Sequence, residues 1–357
     1  MDRDNWSGSF HIGERTYGGR YPSYIIAEIG SNHGGSLERS KEFASACAEA
    51  GANAVKFQSW SARKLQNIKD LTSEGQLHES KVIPILEKYE VPESWHSELA
   101  AYCRSLGVDF LSTPFDIDRA RWLQAVKVPA IKISSGDLTY CQLLEEVGQY
   151  NVPILLSTGM ASLGDIEAAL ERLRADRHSS PPHIVLLHCV AAYPPQLEDA
   201  NLLAIRTLRE AFNLPVGISD HFSGYDTVLA AVALGAGAIE KHVTFSRTDG
   251  HPDSFFALEI DEFRAMVAAV RNLESALGDG RKQCRPSEAD GRVGGRRCLF
   301  AARDLEAGRT IAREDISVVR PNIGPLKPQD LDRVLGRQVR KAIPAGMPLS
   351  WDDVESP

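Results

Sequence analysis

The sequence predicts a (β/α)8 TIM barrel followed by a small C-terminal domain, and three observations carry that prediction. Short apolar runs alternate with longer segments of helical periodicity over roughly the first 280 residues. Eight such runs can be counted, and they are apolar on both faces, as strands buried in a parallel sheet are. The pattern then breaks at a polar, basic stretch, KQCRPSEADGRVGGRR (282–297), and resumes as short segments punctuated by Pro and Gly. Barrel 1–281, linker 282–297 and tail 298–357 are the expected divisions.

The expected strands are YIIAE (24–28), AVKFQ (54–58), DFLST (109–113), AIKIS (130–134), PILLS (153–157), HIVLLH (183–188), VGIS (216–219) and AIEKH (238–242). Helical patterns occupy 37–50, 93–106, 117–126, 141–150, 165–175, 200–212 and 225–234, and one over 261–277 closes the ring. Eight strand–helix units are what a TIM barrel requires, whereas a doubly wound open sheet usually has fewer strands. A tail of about 60 residues is marginal as an independent fold and should dock onto something.

Composition narrows the functional classes. The chain has 357 residues, 43% hydrophobic and 25% charged, which suits an ordinary globular protein with one large core. A net charge of -8 offers no footprint for nucleic acid or an anionic membrane, so an anionic ligand must meet a local group of lysines or arginines. Cys47, Cys103, Cys141, Cys189, Cys284 and Cys298 are scattered, which reads as reduced thiols in a cytoplasm. The opening MDRDNWSGSF is polar, and no run approaches the ~18 apolar residues of a membrane span. Secretion and membrane insertion are not expected.

Catalytic groups of a TIM barrel sit at the C-terminal strand ends, and nearly every predicted strand here ends in polar residues. Glu28 closes the first, Lys56 and Gln58 lie on the second, and Thr113 ends the third. The fourth carries Lys132 with Ser135 and Asp137 just beyond, and the fifth ends at Ser157. The seventh ends Ser219-Asp220-His221, and the eighth holds Glu240, Lys241 and His242. With a side-chain period of two, Lys56 shares a face with Gln58, Ser219 with His221, and Glu240 with His242.

Taken singly, a lysine in a strand more often snorkels outward, and a histidine is more often a hydrogen-bonded core residue than a ligand. Lys56 and Lys132, however, sit in runs so apolar that an inward ammonium needs an anionic partner. Two such lysines beside Ser and Thr hydroxyls suit a ligand with a carboxylate and a phosphate. His221 and His242 close adjacent strands, where neutral imidazoles suit a divalent metal with open positions, Mn2+ or Mg2+. Lys241 has the opposite parity to His242 and takes a structural role; His33, His78, His188 and His251 carry no signal of their own.

The strings AEIGSNHGG, AVKFQ, FLSTPFD, KISSGD, LSTGM, HCVAAYPPQLEDANL, GISDH and EKH, in this order, resemble the sialic acid (N-acetylneuraminate) synthase family. That group includes legionaminic and pseudaminic acid synthases and spore-coat polysaccharide homologues. The tail, with DLEAGRTI and VVRPNIG, is similar to the antifreeze-like SAF domain, a β-clip, that follows the barrel there. The resemblance implies condensation of phosphoenolpyruvate (PEP) with an amino-sugar aldehyde and water, giving a nonulosonic acid and phosphate. In it C3 of PEP attacks a metal-polarised aldehyde.

The same resemblance implies Glu28 as acid/base with Asp137 assisting, and a PEP pocket of Lys56, Lys132, Thr113, Ser135, Ser157 and Ser219. It also implies metal ligation by His221 and His242, and Gln58, Tyr193 and Asp253 near the sugar. Arg320 matches an arginine that reaches the partner's active site, so a domain-swapped homodimer is expected. Asp137, in KISSGD, stands where a longer carboxylate is common. Ala191, in HCVA, stands where the family has an asparagine that contacts phosphate. The rival readings are an octulosonate- or heptulosonate-type PEP–aldehyde synthase, a metal-dependent aldolase or hydrolase that would not need both lysines, and a non-catalytic sugar-binding scaffold.

Overall fold

A computed structural model describes residues 8–71, 75–175 and 183–355. Residues 1–7, 72–74, 176–182 and 356–357 lie outside the described residues. The chain divides into two units, 1–280 and 281–357.

The first unit is a barrel of eight parallel strands: β1 (Tyr24–Glu28), β2 (Ala54–Ser59), β3 (Asp109–Pro114), β4 (Ile131–Ile133), β5 (Ile154–Ser157), β6 (Ile184–Cys189), β7 (Val216–Asp220) and β8 (Ala238–Thr244). The ladder runs β3-β2-β1-β8-β7-β6-β5-β4, and β3 and β4 lie side by side to bring the ring nearly to closure. Helices follow the strands: α1 (Leu37–Glu49), α2 (Glu93–Ser105), α3 (Ile117–Ala125), α4 (Cys141–Gly148), α5 (Leu163–Arg174), α6 (Ala204–Phe212), α7 (Asp226–Ala233) and α8 (Ile260–Leu277). Several start where a side chain satisfies an orphan amide, as with Ser36, Asp116 and the Ser162–Asp165 capping box. The expected helix from 200 begins only at Ala204, because Leu197–Ala200 forms a 3-10 turn and Asn201 adopts a left-handed conformation (φ 38°).

Strand alternation sorts the core into two layers. Ile25, Val55, Phe110, Ile131 and Ile239 face the helices and pack with Phe43, Leu99, Leu123, Leu143 and Phe263. Tyr24, Ile26, Ala54, Leu111, Ala130, Leu155, Leu187 and Ala238 face inward and fill the barrel at its N-terminal end. An antiparallel hairpin, Phe10–Ile12 with Arg15–Tyr17, joins this inner cluster through Phe10, Ile12 and Tyr17. The hairpin stoppers the base of the barrel. Polar residues occupy the same inward positions nearer the C-terminal ends, so the strands bury carbon below and present chemistry above.

The second unit contains an antiparallel pair, Cys298–Ala301 with Ile316–Val319, and isolated bridges such as Leu305 with Ile343 and Thr310 with Gln338. Leu299, Ile311, Leu326, Val339 and Leu349 form its core. The expected linker is exposed throughout, yet it holds helical turns at Pro286–Glu288 and Ala289–Gly294. Asn322 donates its backbone N–H to Val293 O, which ties that stretch to the tail.

Candidate active site

Above the apolar layers, the inward residues line a cavity of about 470 Å³ at the C-terminal mouth. Lys56, Gln58, Thr113, Lys132, Ser135 and Ser157 line it, as do Tyr193, Ser219, His221, His242 and Asp253. Glu28 lies directly behind this surface and is fully buried. Asp137 is not among the lining residues; its carboxylate accepts from Ser134 Oγ (2.6 Å) within the turn after β4. Arg320 belongs to the second unit, exposed just after Ile316–Val319. Ala191 lines the cavity across from Gly159 and offers no side-chain donor.

The two buried lysines do find anionic partners, and these come from the chain itself. Lys56 Nζ lies 2.6 Å from Glu28 Oε2 and 3.7 Å from Glu240 Oε2, and it donates to Thr113 Oγ1 at 2.9 Å. Lys132 Nζ lies 3.9 Å from Glu240 Oε1 and donates to Ile133 O. Gln58 Nε2 donates to Glu28 Oε1 (2.6 Å), and Ser219 Oγ donates to Glu240 Oε1 (2.8 Å). Two ammonium groups and two carboxylates, all nearly without solvent, thus form the floor.

Glu240 is the functional candidate that the residue-by-residue reading left out of the site. The available signal was its inward parity with His242 inside an otherwise apolar strand. Its place between two lysines could not be read from β8 alone.

The charges are strongly perturbed. Burial raises the Glu28 carboxyl, opposed by Lys56, with Glu240 raising it further. Burial would also raise Glu240, but Lys132 and Lys56 outweigh it and hold that carboxyl low. Lys56 ends above its ordinary value because Glu240 and Glu28 overcome desolvation, whereas Lys132 ends below it, desolvation prevailing. One carboxyl therefore keeps a proton more readily than its neighbour, a division that acid–base catalysis exploits.

His221 and His242 close the mouth on one side, with ring centroids 5.3 Å apart. Burial lowers both to about 4, so both rings are neutral at ordinary pH. His221 donates from Nδ1 to Val190 O (3.0 Å), which fixes the tautomer and leaves Nε2 as a lone-pair donor. His242 Nδ1 is buried with no hydrogen-bond partner among the described residues. Tyr193 packs on His221 at 4.4 Å and Phe256 on His242 at 4.9 Å. Among the described residues no third His, Cys, Asp or Glu converges on the pair. Two neutral imidazoles with one orphaned nitrogen fit a divalent ion that takes its other ligands from water or substrate.

Three other readings can be placed. Lys241 faces away from the cavity and pairs with Asp220 and Phe222 O. His188 bonds Ala200 O at 2.8 Å, a structural role. All six cysteines are free thiols, and no described helix is long and apolar enough to cross a membrane.

A (β/α)8 barrel in which buried lysines, carboxylates and neutral histidines converge on one cavity at the C-terminal strand ends has the layout of a TIM-barrel enzyme. Comparison with known proteins makes the assignment specific: residues 43–282 match the NeuB family and 296–355 match the SAF domain. The chain belongs to the NeuB family and is an enzyme of the sialic acid synthase type. It is 34% identical to N,N'-diacetyllegionaminic acid synthase of Legionella pneumophila, over 96% of this chain and 98% of that one. It is 33% identical to pseudaminic acid synthase of Helicobacter pylori, over 94% and 98%. Its fold is similar to N-acetylneuraminic acid synthetase of Leptospira borgpetersenii, with TM-score 0.72 and 31% identity over 79% of this chain and 94% of that one.

Proposed function

We propose that the protein condenses phosphoenolpyruvate with the aldehyde of an amino sugar and water, releasing phosphate and a nonulosonic acid longer by three carbons. The observation that carries this reading is the floor of the cavity, where Lys56 and Lys132 meet under serine and threonine hydroxyls. A doubly anionic molecule with a carboxylate at one end and a phosphate at the other suits two ammonium groups so placed. Thr113, Ser135, Ser157 and Ser219 supply neutral donors around it. Ser157 Oγ is buried with no partner among the described residues, a hydroxyl left for a ligand.

The substrate's C3 attacks the aldehyde carbon, and water adds at C2 before phosphate departs. Glu28, its carboxyl raised by burial and within reach of Lys56, is the acid/base that moves the proton as the tetrahedral carbon collapses. Asp137, behind the lining, holds the Ser134–Ser135 turn and assists through it. His221 and His242 would hold a divalent ion, Mn2+ or Mg2+, which when bound supplies a Lewis acid for an aldehyde oxygen. Gln58, Tyr193 and Asp253 stand on the acceptor side. The lysine pair and the neutral histidine pair in one cavity favour this reading over a scaffold that only binds sugar.

A domain-swapped homodimer brings Arg320 of one chain to the mouth of the other. The test is incubation with PEP, Mn2+ or Mg2+, and either N-acetylmannosamine or a 2,4-diacetamido-trideoxyhexose. Phosphate release coupled to a product whose mass is that of the acceptor plus PEP and water less phosphate is expected; no release with either acceptor at any metal concentration overturns the proposal.

A further inference from the structure

The loop after β8, residues 245–257, carries Asp253 and Phe256 to the mouth, and it is fastened to the turn after β1 and the start of α1 at four successive places. Arg39 pairs with Asp249 and also donates to Asn32 O at 2.9 Å. His251 lies over Gly34, where an added Cβ would meet its ring at 2.9 Å. Ser31 donates to Asp253 Oδ2 from both its backbone N (2.6 Å) and its Oγ (2.8 Å), and Asp253 N returns a bond to Ser31 Oγ at 3.1 Å. Asn32, fully buried, accepts from Ser254 Oγ (2.9 Å) and donates to Val243 O (2.8 Å).

These contacts are built for closeness. Gly30 has φ 54°, and a Cβ there would stand 2.2 Å from Asp253 Oδ2, so only glycine lets the carboxylate approach. Asn32 does not line the cavity, whereas Asp253 does. Asp253 has one carboxylate oxygen committed to Ser31, with no bond to Oδ1 among the described residues. Phe256, three residues on, rests against His242 and 5.4 Å from the ring of Tyr193.

We infer that Asn32 and Ser254 are positioning residues that clasp the 245–257 loop into a fixed wall, aiming Asp253 at the acceptor side before any ligand arrives. The inference rests on the proposed condensation for its kinetic meaning, but the clasp itself is a property of the unliganded protein. A wall already in place spares the bound sugar the cost of ordering it, and a misplacement of about 1 Å there costs up to about 100-fold in rate.

Two measurements on the full chain test it. Hydrogen exchange without ligand is expected to show the amides of 245–257 protected in the wild type and freed in Asn32→Ala and Ser254→Ala, with β1 and β8 unchanged. In steady state, both variants are expected to raise KM for the acceptor at least about tenfold while KM for PEP stays within about twofold. Because Asn32 is buried, Ser254→Ala guards against a folding defect, and Gly30→Ala should reproduce the loop release by pushing Asp253 aside. Loop amides equally protected in the variants, or both KM values rising together, overturn the inference. If no aldehyde condenses at all, the proposed reaction fails, while the exchange data still decide the clasp.

Discussion

Two buried clusters of lysine and carboxylate sit on opposite faces of the same barrel wall, and they differ in what they leave unfinished. On the outward face, Lys241 bonds Asp220 and Phe222 O, and Asp220 also accepts from Thr227 Oγ1 and Phe222 N. Among the described residues, neither Lys241 nor Asp220 has a buried side-chain atom without a partner. On the inward face, Glu240 Oε2 and His242 Nδ1, each one residue from Lys241, and Ser157 Oγ at the end of β5 are buried without hydrogen-bond partners among the described residues. The outward pair is complete as a protein structure. The inward set is incomplete until a ligand arrives, and this contrast separates a strut from a site better than charge or burial does.

Breaking the outward pair should damage the fold. Lys241→Met leaves Asp220 buried and unpaired, which is expected to cost about 3–5 kcal/mol in urea or thermal unfolding. Lys132→Met, whose nearest carboxylate is 3.9 Å away and also served by Ser219 and Lys56, should cost less in unfolding than Lys241→Met. It should instead lower kcat/KM for PEP by about 100- to 1000-fold, in an assay of phosphate release. Glu28→Gln keeps the shape of the floor and is expected to reduce kcat by about 100-fold with the unfolding midpoint retained.

The smallest expected effect lies in the tail, where a buried Asp315 meets arginines that remain wet. Arg309 bonds both oxygens of Asp315, at 2.9 and 3.1 Å, and holds its carboxyl below the usual range. With the folded value depressed, the contribution is fully present above about pH 4, the ordinary carboxylate range. It disappears as pH falls through the lowered value. Arg309→Ala should lower the tail's unfolding midpoint slightly at neutral pH and hardly at all at acid pH below the depressed value, read by circular dichroism at both.

The barrel was legible because its signal is local. Strands buried on both faces are continuous apolar runs, so YIIAE and AVKFQ could be placed to within a residue or so, and inward parity then followed for Lys56, Glu240 and His242. Helix starts were less sharp: α5 begins at Leu163 rather than Asp165, where Ser162 and Asp165 complete a capping box. The hairpin under the barrel was missed, because three-residue strands carry too little pattern to register. The clasp between Asn32 and Ser254 was invisible for another reason. Its partners stand 222 residues apart, and short polar residues in loops have no periodicity to betray them. The partners of Lys56 and Lys132 were likewise required by electrostatics but could not be assigned until four strand ends stood around one cavity.

The hairpin of Phe10–Ile12 and Arg15–Tyr17 has a kinetic side. With Phe10, Ile12 and Tyr17 packed into the lower barrel, the described residues close the chamber from below. In the proposed reaction, a molecule seated on the Lys56–Lys132 floor must enter before anything that rests above it, and a product spanning both levels must clear the doorway before the next turnover begins. If the proposed reaction holds, a stoppered base would impose a queue: PEP first, sugar second. An acceptor bound to the empty enzyme would then act as a cork, inhibiting at high concentration in competition with PEP.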